Sequence, residues 1–451
     1  MPGPQTTPFT GDAALPRAVD VVVIGAGVIG AFTALELAER GHRVLLCDKG
    51  AVGGEQSSRN WGWVRIAMRD MREVPLMAEA IRLWQDMDRR LEAKTGYTRS
   101  GITFACETEE AEASHEGWLR EFSEGGFGEG VAPGEGVEMV SREGLQSIYP
   151  GMATSARSAL HAGIDGRAEP QWVAPAAAEA ARRKGAAVVT CCAVLGVEWQ
   201  AGRVSGVVTE QGPVSCQSVV LAGGIWSSAF ARMEGLDLPQ LRVLNTVIRT
   251  APLENGPDGA LWTSQYAFRR RADGGYSIAS AAENIIEIVP DSFRYLSRFT
   301  AVLKQEWKSL RPRLSQSMAD DWLALPRGSA GTKALLRKYR IFDPEPATAT
   351  VMRAFEALKR DYPVFQPLEV LQTWGGMIDV TPDAVPVISR VEGRDGLVIA
   401  TGFSGHGFGI SPGAGKLAAD LVCGDVPVVN PSELRLCRFH DGSPIRVMGG
   451  V

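Results

Sequence analysis

Short apolar runs set the rhythm of this chain. Val19 to Ile24 is nearly continuous in apolar residues and predicts a strand buried on both faces, as in a parallel sheet. Ala31 to Arg40 follows with Phe32, Leu35 and Leu37 among small residues, and Gly41 closes it, which predicts a capped helix. Arg43 to Cys47 predicts a second strand, Ser218 to Leu221 a third and Leu397 to Ala400 a fourth, with helix-forming residues from Ala414 to Val422. Between Asp291 and Leu314 the pattern changes: Tyr295, Leu296, Phe299, Val302, Leu303, Trp307 and Leu310 fall at helical spacing, flanked by Lys304, Lys308, Arg311 and Arg313. That predicts an amphipathic helix, read as a lid over a cleft in preference to a helix lying on a membrane surface. The glycine-rich stretch Glu124 to Gly136 predicts a mobile surface loop.

The turn between the first strand and the first helix carries chemistry. Gly25-Ala26-Gly27-Val28-Ile29-Gly30 is a dinucleotide fingerprint in its required strand–turn–helix setting. Gly25 permits the tight turn, Gly27 lets the backbone approach a pyrophosphate, and Gly30 lets helix and strand pack closely. The helix N-terminus offers free N–H groups to phosphate. Asp48, at the end of the second strand, is placed to hold ribose hydroxyls. This motif alone does not choose between NAD and FAD.

Three further segments point to FAD. Gly53 to Trp63 (GGEQSSRNWGW) supplies small and hydroxyl residues, with Ser57, Ser58, Arg59 and Asn60 suited to phosphate or ribityl oxygens. Ala222-Gly223-Gly224 ends the third strand where only bare backbone fits. Gly402 to Gly409 (GFSGHGFG) opens the last helix and aims N–H groups at something negative, as the O2 and N1 edge of a reduced flavin would be. Each segment by itself is also consistent with a plain strand end or capped helix.

Composition narrows the class. The chain has 451 residues, 45% apolar and 22% charged, enough for two cores in a soluble globular protein. Its net charge of −5 argues against nucleic-acid binding. The cysteine count is odd and no pair has CxxC spacing, so neither a disulfide frame nor structural zinc is expected, and no metal is implied. Met1 to Ala18 lacks the pattern of a signal peptide, and no run of about 18 apolar residues occurs, so a cytoplasmic location is expected.

Taken together, GAGVIG at 25–30, SSRNWGW at 57–63, Asp165-Gly166, LAGGIWS at 221–227, WGGMIDVTPDAVPVI at 374–388 and the GFSGHGFGISPGAG that follows resemble the D-amino-acid-oxidase superfamily of FAD enzymes, which includes glycine and sarcosine oxidases. The bacterial L-amino-acid deaminase subgroup is the nearest pattern, through SSRNWGW, Phe268-Arg269 before Ala272-Asp273-Gly274, and the long insert that follows. The resemblance implies an α/β fold: a discontinuous Rossmann-type FAD-binding domain (18–80, 155–232, 370–437), and an α+β substrate domain with a large mixed or antiparallel sheet (81–154, 233–369). Residues 1–17 are expected to form a flexible N-terminus. It implies non-covalent FAD, contacted by Gly25, Gly27, Ile29, Gly30, Asp48, Lys49, Ser57 to Gly62, Val194, Ala222, Gly223, Trp226, Gly376 and Gly405 to Gly409. The cysteine to which sarcosine oxidases attach flavin, near Gly376, has no counterpart here.

For the chemistry, the resemblance implies hydride transfer from the carbon beside an amino nitrogen, with the imine hydrolysed to a keto acid and ammonia. Arg269 matches the subgroup's carboxylate-binding arginine, although a run of three arginines is otherwise read as solvated surface. Arg65 and His406 are further catalytic candidates, and Trp63, Trp374 and Phe403 candidate walls for the substrate, with core packing as the plainer alternative. Ile378 stands where glycine-oxidase-like members have an arginine, which disfavours glycine and sarcosine. Deaminases of that subgroup carry an N-terminal membrane anchor, which this sequence is expected to lack, and the expected acceptor is oxygen or a quinone. The competing readings are oxidation of a secondary or N-alkylated amine, such as an N-methyl amino acid or opine, a flavin-binding protein without turnover, and an NAD-dependent dehydrogenase, which leaves the C-terminal glycine loop unexplained.

Overall fold

The computed structural model describes residues 3–127, 136–307 and 309–447. The apolar runs form a six-stranded sheet in the order Val387–Arg390, Leu397–Thr401, Ser218–Leu221, Val21–Ile24, Val44–Cys47, Ala187–Val189. All its pairings are parallel except that of the edge strand Val387–Arg390. Val21 to Ile24 are buried on both faces, which is why that strand reads as an unbroken apolar run. The helix Val28–Glu39 covers one face, and the helices Pro170–Arg183 and Gly407–Cys423 pack against it. Gly415 permits the close crossing, since a Cβ there would stand 2.7 Å from the Phe32 backbone.

The second layer is a ten-stranded mixed sheet. Its centre is the antiparallel pair Leu241–Thr250 and Val370–Val380, and it runs out through Tyr276–Ser280 and Tyr266–Arg270 to Ile102–Cys106 and Ser158–Ala162. Two of these strands differ from the sequence boundaries: Ser158–Ala162 and Val370–Val380 sit in the large sheet, not with the nucleotide strands. Both segments carry family motifs at one end only, so the motif falls in one layer while the strand that delivers it belongs to the other.

Two expectations are revised. Residues 3–17 do not hang free: Asp12 N–H donates to Val188 O and Val188 N–H to the Asp12 carboxylate, each at 2.7 Å, and Thr7 N–H donates to Gln171 O. The edge strand Ala187–Val189 has unsatisfied backbone groups, and this segment satisfies them. The insert is not one long helix but short helices, Pro290–Arg294 and Thr300–Glu306, followed by the strand Leu310–Arg313. Its apolar residues split accordingly: Tyr295 and Phe299 are buried while Phe293, Leu296 and Trp307 are exposed. The core of the expected mobile loop, residues 128–135, and Lys308 lie outside the described residues. Among the described residues no helix is long and apolar enough to cross a membrane.

Candidate active site

The two sheets enclose a cavity of ≈ 370 Å³ at the C-terminal ends of the parallel strands. This is where an open α/β sheet places its ligand. At one end the wall is mostly backbone. Gly25 has φ +101°, and a Cβ on Gly30 would lie 1.9 Å from Gly25 O, so the turn and the helix can meet only without side chains. The first turn of Val28–Glu39 leaves N–H groups without intrahelical partners; Ser57 Oγ accepts that of Val28 at 2.8 Å. The Asp48 carboxylate accepts N–H from Ala26 and from Gly50, both at 2.7 Å. Burial nevertheless raises its pKa above the ordinary carboxylate value. Lys49 sits 4.6 Å over the Trp226 ring and pairs with Glu55, which also accepts from Trp226 Nε1 at 2.9 Å.

The middle of the cavity is held by a polar brace. Gln56 Oε1 accepts from Ile225 N–H and Gln56 Nε2 donates to Asp379, both at 2.9 Å. Asp379 also accepts from Gly402 N–H (2.8 Å) and Gln240 Nε2 (2.8 Å). One buried carboxylate thus ties the strand Val370–Val380 to the glycine loop before the last helix. That loop passes Gly405 at φ +85°, and Gly409 packs so close that a Cβ would be 3.0 Å from Trp63 O. Arg59 pairs with Asp343 and donates to Gly375 O at 3.0 Å, crossing behind Gly376.

At the other end the wall is side chains. Trp61, Trp63 and Trp262 form one aromatic cluster with ring centroids 5.0–5.9 Å apart, backed by Phe104. Trp63 Nε1 is buried and has no hydrogen-bond partner among the described residues. Arg69 pairs with Glu73 at 2.6 Å and donates from Nη2 to His406 O at 2.9 Å, while Glu73 Oε1 faces His406 Nδ1 at 3.5 Å. Burial first, then Arg65, lowers the His406 pKa to about 4. Among the described residues Lys49, Arg59, Arg69 and Arg340 line the cavity with carboxylate partners. Arg65 lines it with none: its one protein acceptor is Ala67 O at 2.6 Å, and its guanidinium lies 5.7 Å from the Phe104 ring centroid. Burial, and then Arg69, lowers its pKa to about 10, so it stays charged at neutral pH.

Residues 20–421 match the family described as DAO, FAD dependent oxidoreductase. The protein is an FAD-dependent oxidoreductase of this family. Its sequence is 25% identical to glycine oxidase of Pseudomonas putida, over 91% of this chain and 96% of that one. The structure superposes on that of L-amino acid deaminase of Proteus myxofaciens in complex with anthranilate, with TM-score 0.91 and 31% identity, covering 98% of both chains. L-amino acid deaminase of Proteus vulgaris gives TM-score 0.88 at 29% identity, over 95% of this chain and 99% of that one.

The cavity fits the FAD of the family. The space that a Cβ at Gly30 would destroy, the two backbone-donor turns and the buried Asp48 are what a dinucleotide needs. Most residues singled out in the sequence line it, including Gly27, Ile29, Asn60, Gly62, Val194, Ala222, Gly223, Gly407 and Phe408. Four do not. Gly30 acts by packing, and Ser58 turns its hydroxyl away to Glu55 O. Trp374 is buried behind the wall, donating to Arg59 O and packed with Val247 and Ala279. Arg269 is fully buried and paired with Glu169 at 2.6 Å, with Trp61 O as a further acceptor. As it stands, that guanidinium has its carboxylate already, so it braces the Trp61–Gly62 turn from behind.

The sequence reading missed Gln56, Glu73, Asp379, Trp262 and the Arg340–Asp343 segment. Gln56 and Asp379 stood inside motifs noted for their glycines. Trp262 and Glu73 had no motif, and only the sheet and the turn after Arg69 bring them in.

Proposed function

We propose that the protein oxidises the C–N bond of an α-amino acid, giving an imine that water hydrolyses to a keto acid and ammonia. The observation that carries this is Arg65, the one cavity cation without a carboxylate partner among the described residues. A buried charge is costly unless paired, and the carboxylate of an amino acid supplies the missing partner. Trp63 Nε1 offers a second donor nearby. The tryptophan wall holds an apolar side chain and keeps water from the reacting carbon. Ile378 lines the cavity, which supports substrates larger than glycine.

FAD would lie along the backbone-rich end, its pyrophosphate at Gly25 to Gly30, its ribose at Asp48 and its ring edge at Gly405 to Gly409. When bound it supplies the hydride acceptor. The side chains do the rest: Arg65 orients the substrate, and the loop held by Asp379 fixes the ring's neighbours. The deaminase and glycine oxidase relatives support this reading. The tryptophan wall also suits an N-methyl ammonium, which supports N-alkylated amino acids as the second reading.

The test is anaerobic mixing of the yellow protein with L-, D- and N-methyl amino acids while flavin absorbance is followed. Bleaching by free amino acids with ammonia as product supports the first reading, and aldehyde or primary amine products the second. No bleaching by any of them overturns both. Reoxidation in air against a quinone then identifies the acceptor.

A further inference from the structure

We infer that His406 Nε2 accepts the proton of the substrate ammonium, and that the substrate's own carboxylate switches this base on by neutralising Arg65. The inference rests on the assignment of Arg65 as the carboxylate anchor and adds a catalytic residue to it.

The geometry selects the tautomer. Glu73 is fully buried and paired with Arg69 at 2.6 Å, and its other oxygen faces His406 Nδ1 at 3.5 Å. Burial alone would raise the Glu73 pKa, but His406 and Arg69 outweigh it and keep the carboxylate ionised. An ionised carboxylate only accepts, so the ring proton sits on Nδ1 and the lone pair on Nε2. Among the described residues no protein group is hydrogen-bonded to Nε2, and the ring lines the cavity that Arg65 also lines. Arg69 fixes the other side of the residue through the His406 carbonyl at 2.9 Å. One ion pair, Arg69–Glu73, thus holds both the ring and the backbone of the base.

The charged groups facing the ring are Glu73, Arg69 and Arg65. Burial and Arg65 hold its proton affinity down, and Glu73 opposes them. In the free enzyme the imidazole is therefore neutral, ready to accept. A carboxylate on Arg65 cancels the strongest repulsion, so the ring becomes a better base when an amino acid is bound. The step balances simply. An ammonium proton moves to Nε2 and its bonding pair stays on nitrogen, which leaves the neutral amine from which C=N could form, with FAD, when bound, supplying the hydride acceptor. After product departs, the unpaired Arg65 lowers the ring's affinity again and the proton passes to solvent.

The test needs no turnover. The FAD-loaded protein is titrated calorimetrically with benzoate in buffers of different ionisation enthalpy, at about pH 5.5 and about pH 8. Wild type is expected to take up protons on binding near the lower pH and none at the higher, and His406→Gln to bind with no uptake at either. Wild type binding benzoate without uptake at the lower pH, or His406→Gln taking up as many protons as wild type, overturns the inference. Arg65→Met binding benzoate as tightly as wild type would sink the anchor assignment instead. In the reductive half-reaction, His406→Gln is expected to be about 10²-fold slower than wild type at neutral pH. It should recover progressively between about pH 7 and about pH 9 as the free-amine fraction grows, below the range in which Arg65 loses its own charge. A loss equal at every pH would mark a structural role and overturn the base.

Discussion

At the nucleotide end of the cavity, recognition is done by backbone. Gly25, Gly30 and Gly405 matter for what they lack, and Ser57 and Asp48 mainly accept main-chain N–H groups. At the substrate end it is done by charged and aromatic side chains drawn from distant parts of the chain: Arg65 and Glu73 from the segment after SSRNWGW, Trp262 from the large sheet, His406 from the last glycine loop. A backbone-built site tolerates almost no change in its glycines but leaves little chemistry to tune. A side-chain site can be retuned by one substitution, and its logic lies in which charges are paired.

The comparison breaks most sharply at Gly30. Gly30→Val would drive Cβ into Gly25 O, so the purified protein is expected to lose nearly all its flavin colour while Arg65→Met stays yellow. The absorbance ratio of the two purified variants reads this directly. Next come the two arginines. Arg269→Met leaves the buried Glu169 with only Arg271 at 3.5 Å and the Ala272 N–H, expected to cost about 3 kcal/mol in denaturant unfolding. Arg65→Met breaks no ion pair among the described residues; it should instead lower kcat/KM for amino acids about 10- to 100-fold, mainly through KM, with little change in stability. Equal stability losses in both would erase the distinction between brace and anchor.

Acid sensitivity sharpens it further. Burial would raise the Glu169 pKa, but Arg269 outweighs it and brings the group to about 2. A depressed carboxylate stabilises fully above its unfolded value and is lost as pH falls through the folded one. Wild type should therefore lose this contribution between about pH 5 and pH 2, and an acid melt of Glu169→Gln should lack that component. The smallest effect is expected at Ser57→Ala, which removes one helix cap. About 1 kcal/mol, or roughly fivefold in FAD dissociation constant, should show in a fluorescence titration of the apoprotein.

The nucleotide end was legible because its signals are local: a glycine turn, its strand and its helix fit within thirty residues. The second layer was legible only through resemblance, and its edges moved because Ser158–Ala162 and Val370–Val380 carry motifs of one layer on strands of the other. Arg269 illustrates a related point. Its position in the F-R-x-x-A-D-G pattern was visible, but its partner Glu169 lies a hundred residues away, and no local pattern records which charges meet. Arg65 was visible only as a neighbour of a motif. What distinguishes it is the lack of a carboxylate partner among the described residues, a property of the fold and not of any window of sequence.

The order of the six-stranded sheet has a consequence for synthesis. Val21–Ile24 pairs with Ser218–Leu221, which in turn pairs with Leu397–Thr401. The glycine loop that closes the pocket comes after that last strand. At about 5–20 residues per second, the first strand leaves the ribosome tens of seconds before the segment that completes its sheet. The nascent chain must therefore wait with an apolar strand and a half-formed cradle, and cofactor capture becomes one of the last events in its making. Flavin supply and chaperone protection during that interval, more than the finished protein's stability, would then govern how much active enzyme a cell obtains.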